Sequence, residues 1–427
     1  MTSKSLHKPS FEEYLTQSVV SRAEVDKYLQ GSGWNAFDPE LGYVHRTYEV
    51  PPHTFLSGIG GYGVLSTQQS HGARRSFMHA DQQARINTYG NSFTQCTQVN
   101  DGESWQEYLA GHLCEPIGNF GVAAYGCYQA YLRLLRVEST NHGAPYLIYY
   151  IWGDDPFRNL YRCLAPLLHH YGTDGLCASG GLSAFFSMPR PNVEMNLANG
   201  ELVEKRQMLS APQSLYSLCE PEWMLENLSD DFALQLVLFK EGATSDLDRS
   251  QIDSLAKRLD FQFDWTLPCD LSPRVRGSAL LGMRPNDRTP RTLQSEASAL
   301  LDRYACRVTN YILDSLAAFA KRNAKELLVV LFDPHRALAE RHAGLPRYDQ
   351  DIVSHLCNQG FLHFDMNEAH LEDFRRYSLS WDDYLKQFFV DGRGHYNARG
   401  NHFFAYAIKD QIVQWLEPKP FFYRTAV

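Results

Sequence analysis

A mixed α/β fold built on a parallel sheet is what this sequence predicts, on three observations. From residue 85 onward, short apolar runs alternate with longer amphipathic ones, the pattern of strands joined by crossover helices. Residues 145–151, PYLIYYI, form a continuous apolar run such as a central strand covered on both faces requires. Residues 327–333, LLVVLFD, come after a helical stretch in which Leu301, Tyr304, Val308, Ile312, Ser315 and Phe319 keep one face.

The elements then fall in order. Residues 85–89 read as the first strand, and DGESWQEYLAGHL places Trp105, Tyr108, Leu109, His112 and Leu113 on one helical face, where His112 is structural. A second strand fits 116–120, a helix fits YQAYLRLLR, and 145–151 is the third strand. LLVVLFD is the fourth, GFLHFDM (360–366) the fifth, and FFAYAIKDQIVQWL closes as a helix that buries Phe404, Ile408, Ile412 and Trp415. Residues 1–84 form an irregular N-terminal extension, 85–190 the first half of the core, 191–292 an insert or lid without clear alternation, and 293–427 the second half. The glycines at 58, 60 and 63 match GxGxxG, but residues 65–75 are polar and lack a helical period, so the cluster reads as a turn.

The 427 residues include 44% apolar, 13% aromatic and 21% charged side chains, a globular balance that excludes collagen, coiled coil and bulk disorder. Forty basic against forty-nine acidic residues give a net charge of −9, which argues against nucleic acid or an anionic membrane as main partner. No apolar run is long enough to span a membrane, the opening residues have no signal-peptide core, and the nine cysteines contain no CxxC pair. A soluble, cytoplasmic protein with reduced, mostly buried thiols is expected.

Ligands of open parallel sheets bind outside the carboxyl ends of the strands, so the loops there are where chemistry is sought. Gly90-Asn91-Ser92-Phe93-Thr94 lies after the first strand, residues 119–126 after the second, and Gly153-Asp154-Asp155 after the third. Far along the chain, Asp391 to Asn397 precede the last helix. A serine hydroxyl becomes a nucleophile when a histidine takes its proton and a carboxylate holds the imidazole tautomer, and Ser92, His395 and Asp391 are those three types.

In order and spacing these segments resemble the blocks of the SGNH (GDSL-type) hydrolase superfamily. GDSxT is similar to residues 90–94, NxGxxG to 119–124, GxND to 152–155 and DxxHxN to 391–397. The resemblance covers about 85–175 and 293–427. It implies a three-layer α/β/α, flavodoxin-like fold and a serine carboxylic-ester hydrolase acting on small or carbohydrate-linked acyl esters, acetyl esters first, without cofactor or metal. It also implies roles: Ser92 as nucleophile, His395 as general base, Asp391 as the orienting acid, and an oxyanion hole from the N–H groups of Ser92 and Ala124 and the side chain of Asp154. Gly121 and Trp152 line that site, and Gly126 is the fallback donor. An O-acyltransferase with the same triad, or a ligand-binding member with a degraded oxyanion hole, are the alternatives.

Four departures from the pattern stand out. Asn91 replaces an acid before the serine, and Ala124 replaces a glycine, which leaves its N–H usable if φ is negative. Asp391 precedes His395 by four positions instead of three, so Asp382 or Asp383 could orient the imidazole instead. Asp154 stands where asparagine is usual, and an ionised carboxylate donates nothing to an oxyanion. Either Asp155 beside it keeps it protonated, or Arg158 pairs with it and turns it away. The aromatics Tyr125, Tyr128, Tyr149, Tyr150, Trp152 and Phe157 near this crevice suit a sugar or acyl chain, or simply the core.

Overall fold

The computed structural model describes residues 8–31, 35–46, 54–56, 63–171, 188–270, 290–390 and 395–424. The chain divides into two units, one of residues 45–155 with 312–427 and the other of residues 1–44 with 156–311.

The first unit is built on a five-stranded sheet: β1 (Ile86–Tyr89), β2 (Ile117–Asn119), β3 (Tyr146–Trp152), β4 (Glu326–Phe332) and β5 (Leu362–Asp365). All pairings are parallel, in the spatial order β2-β1-β3-β4-β5. The α/β class with a parallel sheet flanked by helices is therefore observed, and the five strands sit where alternation placed them, within a residue or two. All seven residues of β3 are buried, which is what its unbroken apolar run requires. β1, Ile-Asn-Thr-Tyr, is buried despite its polar middle because the polar groups are satisfied. Asn87 Nδ2 and Tyr89 OH both donate to Glu138 Oε1, at 2.7 and 2.6 Å, and Lys325 Nζ pairs with the same carboxylate at 2.7 Å.

The helices of this unit are α1 (Ser92–Gln95), α2 (Trp105–Leu113), α3 (Cys127–Glu138), the end of α4 (Leu293–Arg322), α5 (Ala337–His342), α6 (Gln350–Asn358), α7 (Met366–Phe374), α8 (Trp381–Leu385) and α9 (Ala398–Trp415). Two apolar faces differ from the periodicity reading. In α2, Gln106 and Glu107 are buried while Tyr108 and His112 are half-buried. The reason is hydrogen bonding: Gln106 Nε2 donates to Thr94 O at 2.8 Å, and Glu107 accepts from the N–H groups of Phe77 and Met78. In α4 the buried stripe runs Leu301, Tyr304, Val308, Ile312 and then Leu316 and Ala320, since a 3.6-residue period drifts away from Ser315 and Phe319.

In the second unit, helices Phe11–Gln17 and Arg22–Leu29 each open on a capping box, Ser10 with Glu13 and Ser21 with Glu24. The remainder includes an antiparallel hairpin, Asn192–Met195 with Leu202–Lys205, and helices Pro221–Leu228, Phe232–Lys240 and Arg249–Arg258. Val20 N–H donates to Leu218 O at 2.9 Å and Tyr14 OH to Pro166 O at 3.2 Å. The expected N-terminal extension is thus split: its first part packs on segments from the middle of the chain, and residues 45–84 belong with the sheet. Such long-range partners leave no periodic trace in sequence.

The eight described cysteines are free; Cys96, Cys127, Cys163 and Cys306 are buried, whereas Cys269 and Cys357 are exposed. No described helix is long and apolar enough to cross a membrane. Gly58 and Gly60 of the GxGxxG match lie outside the described residues, as does Cys177.

Candidate active site

The strand order reverses between β1 and β3, the position in an open parallel sheet where the loops leaving the carboxyl ends diverge. The loop from β1 makes its turn at Gly90, whose φ is +154°. A Cβ there would lie 2.6 Å from the Tyr150 carbonyl oxygen on β3, so only glycine lets the chain pass this close. Asn91, rather than Ser92, then caps the single turn α1: its Oδ1 accepts from Phe93 N–H at 2.8 Å. Its Nδ2 donates to Asp155 Oδ1 at 2.7 Å, and Asp155 Oδ2 accepts from Trp152 N–H at 3.0 Å. The asparagine that departs from the family pattern is therefore the residue that ties the first and third loops together.

Freed from capping, Ser92 Oγ lies 2.6 Å from His395 Nε2, across 303 positions of sequence. The imidazole is held in place by ring stacking and by its own backbone. Phe93 stacks on it with ring centroids 4.4 Å apart and planes 22° from parallel, and Trp152 stacks on Phe93 at 4.1 Å. Its backbone is pinned by Val390 N–H on His395 O at 2.8 Å and Asn397 N–H on Phe388 O at 2.9 Å. Asn397 caps α9, its Oδ1 accepting from Gly400 N–H at 2.9 Å, while His395 turns to the serine. Asp391 lies outside the described residues. Of the other acids considered, Asp383 is held by Ser380 and Lys386 on an exposed helix face, with Asp382 exposed beside it.

The second loop lies along the first. Phe120 N–H bonds Thr88 O and Val122 N–H bonds Gly90 O, both at 3.0 Å, while Gln95 Oε1 accepts from Ala123 N–H at 2.9 Å. Gly121 allows this contact, since a Cβ on it would sit 2.7 Å from the Thr94 carbonyl carbon. Ala124 has φ +61°, the opposite sign from that expected for an alanine. The loop thus keeps a glycine-type conformation at a cost of roughly 1 kcal/mol. Ala124→Gly is expected to raise stability by up to about 1 kcal/mol, read as an increase in urea midpoint. Gly126, the fallback donor, is the N-cap residue of α3, with its N–H on Gln129 Oε1 at 3.4 Å. Asp154, half-buried, comes after Gly153 at the end of β3, beside the fully engaged Asp155. Arg162, a cation close to these acids in sequence, is taken by Glu194 and Asp230. Tyr125, Tyr128, Tyr149, Tyr150, Trp152 and Phe157 are all buried, as core residues are.

Sequence reading missed His370. It is fully buried on α7, with Nε2 2.6 Å from the hydroxyl of Tyr396, the neighbour of His395, and Nδ1 3.1 Å from that of Tyr384. Burial lowers its pKa to about 3. Below about pH 6.5 the unfolded chain binds a proton that the native imidazole refuses, so stability is lost as the pH falls, by about 2 kcal/mol between pH 7 and 5. Asp333, raised to about 6 by burial, acts in the opposite sense, because its native carboxyl holds a proton that the unfolded one releases. The two partly cancel in the wild type. His370→Gln should therefore gain about 2 kcal/mol on the wild type between pH 7 and 5, measured from urea unfolding at each pH.

No family model matches this chain, and no curated protein matches it. Among solved structures, a crystal structure is similar to this chain at a TM-score of 0.33 and 9% identity, over 77% of this chain and 95% of its own. The chemistry available at Ser92 and His395 is therefore read from the arrangement of the side chains themselves.

Proposed function

We propose that this chain is a serine carboxylic-ester hydrolase of the SGNH type, with a flavodoxin-like three-layer core, acting on small or carbohydrate-linked acyl esters. The observation that carries this reading is the 2.6 Å contact between Ser92 Oγ and His395 Nε2 at the carboxyl edge of a parallel sheet. Ser92 Oγ attacks the ester carbonyl as His395 takes its proton, with Asp391 orienting the imidazole. The N–H group of Ser92 faces the developing oxyanion, because Ser92 opens a helical turn, where N–H groups lack an intrahelical acceptor. His395 then returns its proton to the departing alcohol and activates the water that releases the acid.

The test is covalent labelling. A fluorophosphonate should modify one serine, identified as Ser92 by peptide mapping, and p-nitrophenyl acetate should release p-nitrophenol in a burst of one equivalent. An unlabelled protein that is silent with short-chain esters would overturn the proposal. Transfer of acetyl to an added sugar in preference to water would reassign it as an acyltransferase.

A further inference from the structure

The turn that presents Ser92 is four residues long, far too short to persist by itself. Its carbonyls nonetheless meet buried donors one after another. Trp105 Nε1 donates to Phe93 O at 3.2 Å, Gln106 Nε2 to Thr94 O at 2.8 Å, and Arg74 Nη1 to Gln95 O at 2.7 Å and also to Cys96 O. The rest of the Arg74 guanidinium is equally committed, Nη2 to Val99 O at 2.7 Å and Nε to Asp101 Oδ1 at 2.9 Å. Both charged side chains of that pair are 1% exposed. The backbone N–H of Arg74 binds Asn119 O at 2.8 Å, the residue from which the loop to Ala124 departs. One residue, from a stretch to which sequence reading gave no role, therefore bonds to both the nucleophile turn and the second loop.

We propose that Arg74 is the positioning residue for the nucleophile: it locks α1 in the register that sets Ser92 Oγ against His395 Nε2. A planar fork of donors suits this task because it reaches several carbonyls at fixed angles, and its charge at the carbonyl end complements the dipole of the turn. Lysine keeps the charge but not the fork. The kinetic part of the proposal rests on the ester-hydrolase reading of Ser92; the structural part does not.

Arg74→Lys separates the two. Amides 93–96 should exchange with deuterium at least tenfold faster while those of β3 keep the wild-type rate, because the turn is released without the sheet. Fluorophosphonate labelling and kcat for p-nitrophenyl acetate should fall about 30- to 100-fold with KM within twofold, the result of a displaced nucleophile. In a second variant, Arg74→Met/Asp101→Leu, no buried charge is left unpaired, and kcat should stay depressed even where the melting temperature recovers. Wild-type labelling rates in both variants, or unchanged exchange at 93–96, would overturn the proposal and leave Arg74 a structural residue. A wild-type protein that never labels would overturn the hydrolase reading instead, and the exchange measurement would still decide for or against the clamp.

Discussion

Ser92→Ala is expected to lower hydrolysis of p-nitrophenyl acetate by about 10⁴- to 10⁶-fold and to abolish fluorophosphonate labelling, with the folded protein unchanged. The loss is large because the hydroxyl forms the covalent intermediate, and its removal leaves only binding and backbone N–H donors to act on a water molecule. Stability should hardly change, since Ser92 caps nothing: Asn91 performs that task. His395→Ala should cost nearly as much, and the double variant about the same as either single one, because the two groups 2.6 Å apart act as a unit. Additive losses in the double variant would mean that serine and histidine work independently. A Ser92→Ala protein that still gives a stoichiometric burst would place the nucleophile elsewhere.

Gly90→Ala is expected to cost about 3 kcal/mol or more of folding stability, seen as a lower urea midpoint, and to slow labelling of Ser92 in whatever protein remains folded. The added methyl would have to share space with the Tyr150 carbonyl oxygen 2.6 Å away, an atom of the central strand that cannot move aside. It would also stand at φ +154°, outside the range an L side chain tolerates. Two outcomes are open to the chain: β1 and β3 separate, or the turn carrying Ser92 shifts. Either one degrades the contact with His395. A variant with wild-type midpoint and wild-type labelling would show that the loop has room that the backbone positions deny.

The legibility of this molecule in its sequence varies element by element. The strands were readable from the alternation of short strand-like runs with longer amphipathic ones, most plainly at Tyr146–Trp152 and Glu326–Phe332, where a doubly covered strand has almost no polar position to disguise it. Candidate residues were readable where the loops carry short polar motifs at strand ends, as at Gly90 to Thr94. The helix faces were less so: Gln106 and Glu107 are inside because they satisfy backbone groups of other segments, and no periodicity rule anticipates that. Arg74 and His370 were invisible, since a lone arginine in a polar stretch and a lone histidine on a helix each read as surface. Their roles come from partners brought together by the fold: carbonyls of residues 95–99 for Arg74, and two tyrosine hydroxyls for His370.

By itself the sequence determined the class of fold, the places where strands begin and end, and the chemical types available at the loops, because those depend on local pattern and composition. Only the tertiary structure decided that Ser92 and His395 meet, that Asn91 rather than Ser92 caps the turn, that Ala124 takes a positive φ, and that residues 1–44 and 45–84 join different units. The physical reason is the same in each case. Contacts between residues far apart along the chain are fixed by the packing of whole elements, and a packing arrangement leaves no mark on the residues between.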